Sequence, residues 1–216
     1  MAADYTVFFD FDNTITTFDI LDDMVSRFSR DDAWVTLEER WRRGEIGSRE
    51  CLEGQIRGVR LTKRALDRYL ATVKIDPFFK RLLKLCRSRK MNTYVLSDDF
   101  DYIIKKVLKN NGLSGLDVSC NLLKVSGDRL IPRYPFTNRR CPRCAHCKKK
   151  NLIAKTSSGS RVVYIGDGLS DLCPSKKADI IFAKGSLERR LKADKKHFIP
   201  FKGLNEVYDY FKRRMP

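Results

Sequence analysis

Short apolar runs alternate with amphipathic segments along this chain, and that alternation constrains its fold more than any other feature. Residues 5–11 form a compact apolar and aromatic run, long enough for a buried strand and too short for a helix. Residues 92–97 (NTYVLS) and 161–165 (RVVYI) read the same way, and 179–182 and 197–200 are weaker strand candidates. Amphipathic helices are expected at 77–89, 100–111 and 203–213. The first has Pro in its opening turn and the second stops at Gly112. Buried strands alternating with helices predict an α/β fold with a Rossmann-like, mostly parallel sheet flanked by helices on both faces.

Two stretches break the alternation. Residues 17–73 hold no convincing strand, only helical segments at 20–28, 31–43, 49–59 and 62–73. Four successive helices exceed what one crossover needs, so they read as an inserted helical cap. The expected division is a core of residues 1–16 and 77–216 with a cap at 17–76. The second break is a small β-hairpin, 118–125 and 129–132 joined through Ser126-Gly127-Asp128, followed by a loop with Pro135, Pro142 and three Cys.

Composition narrows the function classes. With 42% hydrophobic residues and 13 Phe the chain has ample material for a core, which excludes disorder. A net charge of +17 attracts anions, whether nucleic acid, acidic lipid or phosphorylated metabolites. No apolar run is long enough to cross a bilayer, and Met1-Ala2-Ala3-Asp4 lacks the layout of a secretion signal, so no membrane partner and a cytoplasmic location are expected. Seven Cys, an odd number, suit a reducing compartment.

Acidic residues cluster where apolar runs end. The first run closes in Asp10-Phe11-Asp12-Asn13-Thr14. In extended chain, residues i and i+2 point the same way, so both carboxylates are expected at one site at the strand's carboxyl end, where open α/β sheets bind ligands. Two adjacent carboxylates call for a cation, and hard oxygen ligands suit Mg²⁺. One carboxylate can then attack phosphorus while the other serves as acid and base. Gly166-Asp167-Gly168-Leu169-Ser170-Asp171 follows the run RVVYI. Asp167 can complete a metal's ligand set, and Asp171 can brace it. A glycine turn with a capping Asp explains that segment equally well on its own. Ser97, before a helix, can hold phosphoryl oxygens with the backbone N–H groups that follow, or simply cap the helix, a role open to Asp99 too. Lys148-Lys149-Lys150 opens a helix before RVVYI, where a lysine can reach a phosphate.

Taken in this order, DFDNT, Ser97, the lysine run and GDGLSD resemble the four motifs of the haloacid dehalogenase (HAD) superfamily of phosphatases, over nearly the whole chain. The resemblance implies Asp10 as nucleophile through a phospho-aspartyl intermediate and Asp12 as general acid/base. It implies Mg²⁺ held by Asp10, the Asp12 backbone carbonyl and Asp167 with Asp171 in support, and a phosphoryl group held by Ser97 and one lysine. A cap between the first two motifs resembles the branch that includes phosphoserine phosphatase. More narrowly, SDDFDYI, CxxCxxCK and DIIFAKGSLERRL resemble the 2-hydroxy-3-keto-5-methylthiopentenyl-1-phosphate phosphatase-like group, in which the lysine directly after the last Cys is the third motif; that selects Lys148 over Lys149. One departure stands out. Many relatives carry glycine after the motif-two serine, whereas Asp98 and Asp99 follow here.

Cys141, Cys144 and Cys147 have the spacing of zinc ligands, with Cys120 or His146 as a fourth, so a structural Zn²⁺ is one expectation and free thiols or a disulfide the other. The function expected is Mg²⁺-dependent hydrolysis of a small phosphorylated metabolite. Its rivals are a phosphatase for nucleic-acid ends and a non-catalytic basic nucleic-acid-binding module.

Overall fold

The computed structural model describes residues 4–138, 141 and 143–215; residues 1–3, 139, 140, 142 and 216, which include Pro142 of the cysteine loop, lie outside the described residues. In chain order the strands are β1 (Tyr5–Phe9), β2 (Asn92–Phe100), β3 (Asp117–Ser126), β4 (Arg129–Arg133), β5 (Arg161–Gly166), β6 (Ile180–Ala183) and β7 (Ile199–Pro200). They form one sheet in the order β4-β3-β2-β1-β5-β6-β7. Every neighbouring pair is parallel except the β3–β4 hairpin. This is the predicted α/β architecture.

β1 is the central strand, and its alternation shows why. Val7 and Phe9 belong to the large core on one face, where Phe9 meets Phe79 edge-on at 5.3 Å. Phe8 packs on the other face with Leu96, Leu152, Val162 and Tyr164. A strand buried on both sides reads as a continuous apolar run because neither face can be polar.

Helices α1 (Ile20–Phe28), α2 (Ala33–Arg42), α3 (Ser48–Gly58) and α4 (Lys63–Thr72) follow β1 in succession. Asp19 starts α1, its Oδ1 accepting the Asp22 N–H at 2.9 Å. Ile20, Met24, Ile56, Leu66 and Leu70 from this group join the same apolar core as β1. These helices also reach the hairpin, where the Leu61 N–H donates to the Asp128 carbonyl at 2.9 Å. Then come α5 (Phe79–Ser88), α6 (Asp101–Asn110), α7 (Lys148–Lys155), the short α8 (Leu172–Ser175), α9 (Gly185–Ala193) and α10 (Leu204–Arg214). α9 has no counterpart among the sequence expectations. No helix is long and apolar enough to cross a membrane among the described residues.

Two expectations are corrected. The first strand ends at Phe9 rather than at residue 11. Beyond Asp10, whose N–H still donates to the Ile165 carbonyl at 2.9 Å, the chain curls so that the N–H groups of Thr14, Ile15 and Thr16 all converge on the Phe11 carbonyl. Asn13 takes a left-handed φ of 53° in this turn. Asp10 and Asp12 nonetheless line the same cleft. The second correction concerns Ser97 and Asp99, which do not cap α6. β2 runs through them to Phe100, with a register break between Leu96 and Phe100.

Candidate active site

The carboxyl ends of β1, β2 and β5 meet at one cleft. Asp10 leaves β1 with only 6% of its surface exposed, and its Oδ1 accepts from Lys148 Nζ at 2.6 Å. Lys148, the first residue of α7, is itself 3% exposed. Its ammonium also donates to Asp171 Oδ1 at 2.8 Å and to Ser170 Oγ at 3.1 Å. Of the three lysines opening α7, the structure brings Lys148 to the site; Lys149 and Lys150 are exposed.

Asp171 is completely buried and fully used. Its Oδ1 accepts from the Tyr164 hydroxyl at 2.6 Å besides Lys148. Its Oδ2 accepts the N–H groups of Asp167 and Gly168 at 3.1 and 3.0 Å. It thereby ties the turn after β5 to the lysine. The turn itself requires Gly166, since a Cβ there would lie 2.5 Å from Asp171 Oδ2.

Carboxylate oxygens of Asp10, Asp167 and Asp171 lie within 4.8 Å of one another, the one such group among the described residues. Thr14 Oγ1 donates to Asp167 Oδ1 at 3.2 Å. Asp12 stands outside this trio; its Oδ1 accepts the Ile20 N–H at 3.0 Å, at the start of α1. Ser97 is buried, its Oγ accepting the Asp99 N–H at 3.0 Å.

The charges here follow from burial. Burial pushes the Asp10 carboxyl well above its usual range, with Asp171 and Asp167 adding to the rise and Lys148 opposing it. Asp167 is pushed up to about 6, again by burial and then by Asp171. Asp12 is raised well above the carboxylate range by burial, then by Asp99 and Asp19. Lys148 is held charged by Asp10 and Asp171, which outweigh its own burial. Together the three carboxylates of Asp10, Asp167 and Asp171 offer an oxygen-only donor set of the kind that suits a hard divalent cation.

The cleft extends beyond these groups toward the helices that follow β1. Its wall there includes Asp19, Asp22, Glu38, Trp41, Ser48, Leu52 and Gln55, with Asp98 and Asp99 beside Ser97. Lys148 is the sole lysine or arginine among the lining residues, against eight carboxylates. Asp98 Oδ1 and Asp99 Oδ2 are buried and have no hydrogen-bond partner.

Sequence reading missed several of these groups. Tyr164, the brace of Asp171, hides inside an apolar run. Asp19, Asp22 and Glu38 fall within the helical run after the first strand, and no motif marks them. Thr14 was visible as the threonine of DFDNT, though not as a partner of Asp167.

The cysteines of the loop stay near one another: burial pushes the Cys144 thiol up to about 12, with Cys141, Asp98 and Cys147 adding to the rise. Among the described residues no three ligand atoms of Cys120, Cys141, Cys144, Cys147 and His146 come within 4.8 Å of one another. All seven cysteines are free thiols. His146 Nε2 lies 3.0 Å from Ser119 Oγ and 3.2 Å from Asn151 Nδ2, while its buried Nδ1 has no hydrogen-bond partner. Burial presses its pKa down to about 3.

A family model described as "Putative Phosphatase" matches residues 5–195. A 2-hydroxy-3-keto-5-methylthiopentenyl-1-phosphate phosphatase of Brevibacillus brevis is 25% identical over 191 residues, covering 87% of this chain and 86% of its own length. Pdp3-interacting factor 1 of Schizosaccharomyces pombe is 28% identical over 188 residues, covering 82% and 81%. Among solved structures, a phospho-aspartyl intermediate analogue of phosphoserine phosphatase superposes with a TM-score of 0.74 at 19% identity, over 96% of this chain and 99% of that one. A substrate-bound phosphoserine phosphatase gives 0.75 at 18% identity, over 97% and 99%.

Proposed function

The chain belongs to the "Putative Phosphatase" family of HAD-type phosphatases, and from that premise we propose that it hydrolyses a small phosphomonoester with Mg²⁺ through a phospho-aspartyl intermediate on Asp10. The observation that carries the reading is the convergence of Asp10, Asp167 and Asp171 around Lys148 at the end of the central strand. Asp10, the Asp12 backbone carbonyl and Asp167 would hold the cation, with Asp171 in support. When bound, Mg²⁺ offsets the negative charge that would keep a carboxylate from a phosphate.

This chain's own residues would do the rest. Asp10 attacks phosphorus as the ester oxygen leaves. Asp12, its carboxyl raised by burial and neighbouring acids, donates a proton to the leaving oxygen and later takes one from the attacking water. Lys148 and the Ser97 hydroxyl bind phosphoryl oxygens. In this reading residues 17–76 act as the cap that covers the reaction and faces the leaving group.

The wall chemistry supports a small body without a second negative charge. Asp19, Asp22, Glu38, Asp98 and Asp99 surround the space beyond the phosphate. Above about pH 7, where Asp22 and Asp98 have lost their protons, they repel a carboxylate or further phosphate and favour a neutral or cationic body. The same wall weighs against nucleic-acid ends inside the cleft, where a strand would meet carboxylates; the basic residues Arg42, Lys184 and Arg189 line only the adjoining outer pocket. The named substrate of the bacterial relatives carries hydroxyl, keto and methylthio groups and so belongs to the favoured class.

Steady-state assays with Mg²⁺ on ethanolamine phosphate, glycerol phosphate and 3-phosphoglycerate check both parts. The first two are expected to exceed the carboxylate-bearing ester in kcat/KM by about tenfold or more, the size of one unscreened like-charge contact. Asp10→Asn is expected to lower turnover by about a thousandfold or more. Undiminished hydrolysis by that variant would refute the mechanism.

A further inference from the structure

Lys148 is delivered by a loop that is fastened on two sides. On the core side, His146 is anchored to Ser119 of β3 and to Asn151, and the Cys147 N–H donates to the Phe136 carbonyl at 2.9 Å. The other fastening comes from the turn between α2 and α3. Arg143 Nη2 donates to the Gly44 carbonyl at 2.6 Å, and the Ala145 N–H donates to Ser48 Oγ at 2.9 Å. Ser48 Oγ in turn faces the Arg143 carbonyl at 3.4 Å. The two backbones touch so closely that a Cβ on Gly47 would sit 2.5 Å from the Arg143 oxygen. Ala145 is fully buried, so its N–H has no water to turn to if the serine oxygen is removed.

We infer that Ser48 is a positioning residue for Lys148, through which docking of the α1–α4 helices sets the loop that holds the lysine against Asp10. Two residues separate Ala145 from Lys148, and between them the chain has no slack. The Lys148 N–H donates to the His146 carbonyl at 2.9 Å, and α7 begins at once. A shift of the Ser48 side of the cleft is therefore passed to the ammonium. Helices that move away from the site release the lysine, and helices that close restore it. This rests on the proposed role of Lys148 as a phosphate ligand.

The test uses the full chain as wild type, Ser48→Ala, Ser48→Thr, Arg143→Ala and the Ser48→Ala/Arg143→Ala double variant. Three quantities are read: inorganic phosphate affinity by calorimetry with Mg²⁺, kcat and KM on p-nitrophenyl phosphate, and hydrogen exchange of the 143–148 amides. Ser48→Ala is expected to weaken phosphate binding and lower kcat by about tenfold each, as loss of one buried hydrogen bond implies, with faster exchange at 143–148. Ser48→Thr restores all three, because it keeps the oxygen. Arg143→Ala, on the exposed side of the loop, gives the same pattern, and the double variant adds little to either single one. The inference is overturned if exchange at 143–148 quickens while phosphate affinity and kcat stay at wild-type values. It is equally overturned if the two substitutions are fully additive, or if threonine fails to rescue. A native chain that binds phosphate yet leaves the ester intact counts against the proposed function alone, since phosphate affinity and exchange still decide the role of Ser48.

Discussion

At the scale of single residues, the site is a balance between one buried ammonium and the carboxylates around it. Lys148 pairs with Asp10 at 2.6 Å and Asp171 at 2.8 Å, all three nearly or wholly removed from water. Removing one partner of such a group leaves charge buried and unpaired, at a cost of roughly 3–5 kcal/mol. Lys148→Met is thus expected to lower the melting temperature by about 10 °C in the absence of metal, at roughly 2–4 °C per kcal/mol for a chain of this size. Mg²⁺ should recover part of that loss, since a cation can take over the neutralisation. Calorimetric melts with and without Mg²⁺ read both effects, and a variant as stable as wild type would show that Lys148 does not neutralise the acids. The identities of these residues were legible from DFDNT, the lysine run and GDGLSD. Their pairing was not, because Lys148 lies 138 positions from Asp10 and 23 from Asp171.

At the scale of elements, the ends of strands decide where chemistry can occur. β5 closes on Gly166, and the next residues wrap around Asp171 through two backbone N–H groups. Gly166→Ala would drive a methyl group to 2.5 Å from Asp171 Oδ2 and 2.7 Å from its Cγ. Asp171 cannot yield without losing Tyr164 and Lys148. Overpacking of this kind costs about 1–3 kcal/mol, so a melting temperature lower by roughly 3–10 °C is expected. Turnover should fall by at least about tenfold, because the displacement reaches Lys148 directly. Differential scanning calorimetry and a kcat measurement on the same sample test this, and wild-type turnover would sink it. Helix and strand types along the core were readable from periodicity. The early end of β1 was not, because the turn that stops it is made by the Phe11 carbonyl collecting three N–H groups, and nothing in the apolar run signals that. The extension of β2 through Ser97 and Asp99 is likewise a product of its pairing with β3.

At the scale of the whole molecule, the basic chain encloses an acidic cleft, and its stability should follow pH accordingly. Burial, with Asp19 and Glu38, pushes Asp22 up to about 7, and burial pushes Asp98 up to about 6 against the pull of Lys148. A carboxyl whose pKa rises on folding holds its proton more tightly in the folded state. Its contribution to stability is complete below the unfolded carboxyl range and is lost as pH climbs through the raised value. The metal-free protein is therefore expected to melt at a higher temperature near pH 5 than near pH 8. Mg²⁺ should stabilise it more at the higher pH, where protons no longer compete. Half-buried Asp67, lowered to about 2 by Tyr102 and Lys63, has the opposite sign but acts only below about pH 4, outside this window. Melts across that range with and without Mg²⁺ decide the matter, and a metal-free curve that rises toward pH 8 would contradict it. Periodicity and motif order by themselves determined the α/β class, the run of helices after the first strand, the hairpin and the acidic and basic residues of the candidate site, because these depend on local pattern and on chemistry carried by residue type. Only the folded chain decided that Asp12 stands apart from the trio, that Asp19, Asp22 and Glu38 face the cleft, and that Ser48 touches the lysine's loop. Those facts depend on which separate segments are packed together, and proximity between residues far apart along the chain has no local signature.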